Sequence, residues 1–241
     1  TDISALTPES RPNDLVRRMQ RQHHKQIEAY EDHVTDGGPD EEGIRVRQFL
    51  TLPADVYLLA TDSETGDPHT MESAMQGVVS DTHLPRFGTA LPAALVDVLR
   101  AAGVTRIVHC GDFTQPLAVP LFVAIAPLEA VAGNNDPDEI RNWFGERKIV
   151  KIERARIGLV HGHAGRRAAH ENAVAAFANE RVDAILYGHS HRPRVERLAG
   201  GPLIANPGSP TDKRTNPTYS YAIMTVEGAD VRVELHHYDE R

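Results

Sequence analysis

Residues 77–83 read GVVSDTH, a short apolar run that stops at two side chains able to bind a metal, Asp81 and His83. The same design returns four times downstream. Residues 105–112 (TRIVHCGD) end in Asp112, and residues 128–136 (LEAVAGNND) carry Asn134. Residues 156–163 (RIGLVHGH) carry His161, and residues 183–191 (DAILYGHSH) end in His189 and His191. Short apolar runs closed by polar residues or glycine predict strands. Between them, residues 90–103 predict a helix closing near Gly103, residues 115–125 a helical stretch limited by two prolines, and residues 171–180 a further helix. Residues 202–238 read as strands with a hairpin turn near Glu227 and Gly228. Strands alternating with helices, followed by a β-rich end, predict a layered α/β sandwich.

Placement at strand ends has a chemical consequence. The C-terminal ends of adjacent strands lie along one edge of a sheet, where ligands bind in α/β folds. In extended backbone residues i and i+2 point the same way, so Asp81 with His83, and His189 with His191, are each expected to reach one site while Thr82 and Ser190 point elsewhere. Two carboxylates, one amide oxygen and four imidazoles suit hard-to-borderline divalent ions such as manganese, iron, zinc, cobalt or nickel. Seven ligands are too many for one ion that keeps an open position. They suit two ions about 3.5–4 Å apart that share a bridging carboxylate.

The motifs DxH, GD, GNxD, HGH and GHxH, in this order from Asp81 to His191, closely resemble those of the calcineurin-like metallophosphoesterases. NPGS at residues 206–209 narrows the likeness to the compact prokaryotic phosphodiesterase subgroup. The resemblance runs from Gln76 to the C-terminus and implies a four-layer α-β-β-α sandwich over residues 76–241, preceded by an N-terminal extension over residues 1–75. It implies that Asp81, His83 and His191 bind one metal, that Asn134, His161 and His189 bind a second, and that Asp112 bridges them. The implied cofactors are two divalent ions, manganese first, with nickel, cobalt, iron or zinc as alternatives. A bridging hydroxide would attack phosphorus in line. His163 would contact the phosphate or orient a ligand, and with Asn134 and Asp136 it completes the candidate catalytic set. Asp136 and Ser209 are expected to stabilise turns rather than to react. Many family members carry a proton-donating histidine where this chain has Asn135, so diesters with good leaving groups are expected to be favoured over monoesters. A homodimer is the assembly suggested by the subgroup.

The remainder of the chain bounds the reading. Hydrophobic residues make up 40% and charged residues 25% of 241, as in a globular protein with a core. A net charge of -8 argues against broad binding to nucleic-acid backbone but leaves a small phosphoester as partner. The single cysteine, Cys110, excludes an internal disulfide and suits a reducing cytoplasm, and no run is long and apolar enough for a membrane span or a signal peptide. Within the extension, residues 14–33 predict a charged helix, residues 34–43 a loop, and residues 46–50 and 55–61 short strands. A second function class remains: the fold also resembles a retromer scaffold subunit, in which the same surface binds protein partners and catalysis is weak or absent. His109 and Cys110 read as core residues, and Arg86 and Arg214 as phosphate contacts or surface charges.

Overall fold

The computed structural model describes residues 74–240. The helix, loop and short strands expected between residues 14 and 61 lie outside the described residues. So does the rest of the extension apart from Ala74 and Met75, which open the first strand.

Among the described residues ten strands form two five-stranded mixed sheets. The first contains β1 (Ala74–Val79), β2 (Arg106–His109), β3 (Leu128–Ala130), β9 (Tyr219–Glu227) and β10 (Asp230–Tyr238), in the order β10-β9-β1-β2-β3. The second contains β4 (Arg147–Ile152), β5 (Ala155–Val160), β6 (Ala184–Leu186), β7 (Arg194–Arg197) and β8 (Leu203–Asn206), in the order β4-β5-β6-β8-β7. Among the described residues the helices are α1 (Ala93–Ala101), α2 (Val119–Val123, entered through a 3-10 turn at Pro116–Ala118), α3 (Asp138–Phe144) and α4 (Ala169–Ala176). In the first sheet β1, β2 and β3 run parallel, as do β5, β6 and β8 in the second, so their C-terminal ends meet at one edge of each sheet.

The two inner faces form one hydrophobic core. Val78, Val108, Ala222 and Met224 of the first sheet pack with Ile157, Leu159, Leu186 and Ala205 of the second. On each outer face a glycine admits a helix. A Cβ on Gly77 would stand 2.6 Å from Leu99 of α1, and one on Gly158 would stand 2.8 Å from Phe177 at the end of α4. The result is the helix–sheet–sheet–helix layering that the family resemblance implied, one form of the layered α/β sandwich expected from the strand–helix alternation.

Three elements escape the sequence pattern. α3 spans seven residues after Pro137, too few to display a helical period, and begins with the acidic pair Asp138 and Glu139 suited to a helix N-terminus. β4 (RKIVKI) carries two lysines and forms a hairpin with β5. β7 (RVER) is a largely exposed edge strand held by antiparallel pairing with β8. No helix among the described residues is long and apolar enough to cross a membrane.

One core residue conflicts with its surroundings. Gln76 is fully buried on β1, and neither atom of its amide has a hydrogen-bond partner among the described residues. Replacing it by methionine, which keeps the volume and removes the unsatisfied groups, is expected to stabilise the fold by about 1 kcal/mol or more. In a domain of this size that raises the melting temperature by roughly 2–4 °C. Calorimetry checks it, and a lower melting temperature would show that the amide is satisfied.

Candidate metal centre

The site is built from the loops that leave the parallel strands. Beyond the strand ends the backbone keeps pairing: Asp81 N–H donates to Gly111 O at 2.9 Å, His83 N–H to Asp112 O at 2.9 Å and Gly188 N–H to His161 O at 3.1 Å. Asp81, His83, Asp112, His189 and His191 all adopt positive φ, between 45° and 67°. Asp81 and His83 do reach one group, as expected, but through left-handed rather than extended backbone, so the expected reason is corrected. These residues turn through left-handed backbone, which costs a non-glycine residue about 1–2 kcal/mol. Strain of this kind persists where surrounding bonds over-determine it and clusters at functional sites.

This geometry sorts six of the seven expected ligands into two groups. Asp81, His83 and His191 form one, and Asp112, His161 and His189 the other, with the ligand atoms of each within 4.8 Å of one another. His189 and His191 thus serve different groups, where extended backbone would have sent both to one. Asp112 stands between the groups, its Oδ2 3.2 Å from His161 Nε2 and 3.7 Å from His83 Nε2. Asn134 is exposed in the loop after β3, where its carbonyl oxygen accepts a 3.2 Å bond from Arg141. The ring of His163 lies 5.4 Å from that of His161, and burial lowers its pKa.

Hydrogen bonds set the imidazoles to present Nε2. His161 Nδ1 donates to Cys110 O at 2.7 Å, and His191 Nδ1 donates to Asp212 O at 2.6 Å, since a carbonyl only accepts. The buried His161 Nε2 then has no aligned hydrogen-bond partner among the described residues, its approach to Asp112 notwithstanding. Nε2 of His83 and Nε2 of His191 face one another at 3.2 Å. An orphaned buried nitrogen, two opposed imidazole nitrogens and a carboxylate oxygen reaching both groups make a donor set that fits divalent ions.

Electrostatics point the same way. Burial pushes the Asp81 carboxyl up to about 7 against the opposing pull of His161. Burial disfavours charge on His161, but the Asp112 and Asp81 carboxylates outweigh it and hold its pKa up at about 9. Asp112 is buried too, yet His161 and the Asn135 hydrogen bonds keep it well below the usual carboxylate range. Burial lowers His83 and His189, and lowers His191 to about 4.

Supporting residues were less visible in the sequence. Asp136, expected among the catalytic candidates, gives both oxygens to backbone: Oδ2 accepts from Asp112 N–H at 2.9 Å and Gly133 N–H at 2.8 Å, and Oδ1 from Thr114 N–H at 2.7 Å. It holds two loops together, in line with the turn-stabilising role expected first. Gly133 must lack a side chain, because a Cβ there would fall 2.1 Å from Asp112 Oδ1. Ser209 Oγ donates to Asp81 O at 2.7 Å, and Thr211 Oγ1 donates to Thr82 O at 2.6 Å. His109, read only as core, joins the first two loops. Its Nδ1 accepts from Gly111 N–H at 3.1 Å, so its Nε2–H faces Thr82 Oγ1 at 3.1 Å. Burial keeps this ring neutral, and it stacks on Phe113 with centroids 3.6 Å apart. The available signal was a polar residue at the end of an otherwise apolar strand. Of the two arginines singled out, Arg214 adds positive charge near His83, His189 and His191, while Arg86 lies over Phe87.

Comparison with known proteins agrees with this geometry. Residues 75–229 match the family model of the calcineurin-like phosphoesterase superfamily domain. A probable metallophosphoesterase from Methanothermobacter thermautotrophicus is 33% identical over 163 residues, covering 66% of this chain and 90% of that protein. Among solved structures, Vps29 from Chaetomium thermophilum aligns with a TM-score of 0.57 at 20% identity, over 70% of this chain and 100% of that one. A structure described as a novel archaeal phosphodiesterase aligns with a TM-score of 0.53 at 23% identity, over 67% of this chain and 99% of that one. These two likenesses concern the fold, whereas the family match and the archaeal relative concern descent. On these grounds the chain belongs to the calcineurin-like phosphoesterase superfamily.

Proposed function

We propose that this phosphoesterase is a phosphodiesterase working at a two-metal site. The observation that carries the reading is Asp112 Oδ2, which reaches toward both three-residue groups at once. Asp81, His83 and His191 would hold one ion and His161, His189 and Asn134 the other, with Asp112 available to both and manganese as the favoured metal. When bound, the ions supply Lewis-acid charge at the phosphoryl oxygens and a water acidified to hydroxide near neutral pH. The chain's residues do the positioning. The Cys110 and Asp212 carbonyls fix the tautomers of His161 and His191, and Asp136 and His109 fix the loops that carry the carboxylates. His163, whose ring lies near those of His161 and His189, is assigned the contact with a phosphoryl oxygen. The phosphoesterase unit opens with β1 at Ala74, two residues before the boundary expected at Gln76, and the residues before it are an extension to it.

The preference for diesters rests on Asn135, an amide where a proton donor would assist an alkoxide leaving group. With manganese, bis(p-nitrophenyl) phosphate is expected to be hydrolysed faster than p-nitrophenyl phosphate. A faster monoester would overturn the diesterase reading.

The fold likeness to Vps29 supports a second reading, a partner-binding scaffold without significant catalysis. Absence of metal-dependent hydrolysis of either substrate would favour it.

A further inference from the structure

Asn135 makes two bonds to one carboxylate. Its backbone N–H donates to Asp112 Oδ1 at 2.8 Å, and its side-chain Nδ2 donates to Asp112 Oδ2 at 2.7 Å. The second acceptor is the oxygen that faces His161 and His83, so it is the atom positioned to be shared between the two ligand groups. A carboxylate oxygen offers about two lone-pair sites. An oxygen shared by two ions would use both, which leaves no lone pair for the amide whose nitrogen stands 2.7 Å away. The Oδ1 bond meets no such competition.

We propose that the Asn135 carboxamide is a displaceable cap: it occupies Asp112 Oδ2 in the metal-free centre, is released when the ions take that oxygen, and then donates its N–H to an oxygen of the bound phosphoester. Asn135 is exposed, so its side chain has room to turn while its backbone stays anchored to Oδ1. A primary amide donates a hydrogen bond without surrendering a proton. It therefore recognises a phosphoryl or leaving-group oxygen and stabilises charge there without general acid catalysis. This inference rests on the two-metal reading. It adds that Asn135 opposes metal loading and favours substrate, two effects of opposite sign at one residue.

Titration calorimetry of the full chain with Mn2+, followed by titration of the loaded protein with inorganic phosphate, tests both halves. The parent is expected to take up two ions. Asn135→Ala is expected to bind them about two- to tenfold more tightly, because one hydrogen bond to Asp112 no longer has to be broken. The loaded variant is expected to bind phosphate about two- to tenfold more weakly, because that donor is gone. A residue that merely supports the loop would weaken both events. Manganese affinity that is unchanged or reduced in Asn135→Ala would overturn the cap, and unchanged phosphate affinity would overturn the substrate contact. A parent that takes up fewer than two ions would instead overturn the two-metal reading on which the inference stands.

Discussion

Asp112→Asn is expected to lower metal-dependent phosphoester hydrolysis by on the order of a thousandfold or more. The size of the effect follows from position. Asp112 Oδ2 stands 3.2 Å from His161 Nε2 in its own group and 3.7 Å from His83 Nε2 in the other, a nearer approach across the groups than the 3.9 Å from Asp81 Oδ1 to His161 Nε2, so both groups lean on its charge. The asparagine keeps the volume and an acceptor oxygen, but it removes the anion that offsets the charge of two cations. The left-handed backbone at this position, with φ of 64°, is tolerated better by asparagine than by most residues, so the change is local. Metal analysis of the purified variant is expected to show loss of bound ions, and initial rates with added manganese to show loss of turnover. A variant keeping a tenth or more of parent activity would mean that the carboxylate is not shared.

The second large effect is on pH. His161 is held protonated up to about 9 and Asp81 up to about 7 in the metal-free protein, while ions bind only the deprotonated forms. Loading therefore releases protons, and affinity rises with pH. Between about pH 7 and 9 one proton is displaced, from His161, so affinity is expected to rise roughly tenfold per unit. Below about 7 Asp81 contributes a second, and the slope approaches a hundredfold per unit. His191 is already neutral there, since burial lowers it to about 4, and adds nothing near neutral pH. Calorimetry in buffers of different ionisation enthalpy counts the protons directly. A manganese affinity that is flat between pH 6 and 8.5 would contradict this assignment.

Much of the fold and the centre was legible in the sequence because the ligands follow directly on buried strands. GVVSDTH, TRIVHCGD and DAILYGHSH each show an apolar run and its chemical terminus together, and the structure gathers Asp81, His83, Asp112, His161, His189 and His191 as those runs suggest. What was hidden depends on three-dimensional detail. The family resemblance already sent His189 and His191 to different metals, but the left-handed backbone that separates them is not visible in GHSH read as a pleated strand. His109 looks like any core residue until the loop containing Thr82 closes over it. Asn135 reads as the absence of a proton donor, whereas its bonds to Asp112 are visible only once the loops after β2 and β3 are adjacent. β7 and α3 are too short to show a period of their own, and tertiary pairing or packing carries them.

Anomalous diffraction from crystals of the manganese-loaded protein tests the two-metal site most directly. Two peaks are expected, one among Asp81, His83 and His191 and one among Asp112, His161 and His189, about 3.5–4 Å apart with Asp112 touching both. A single peak, or ions bound away from these side chains, would contradict the account.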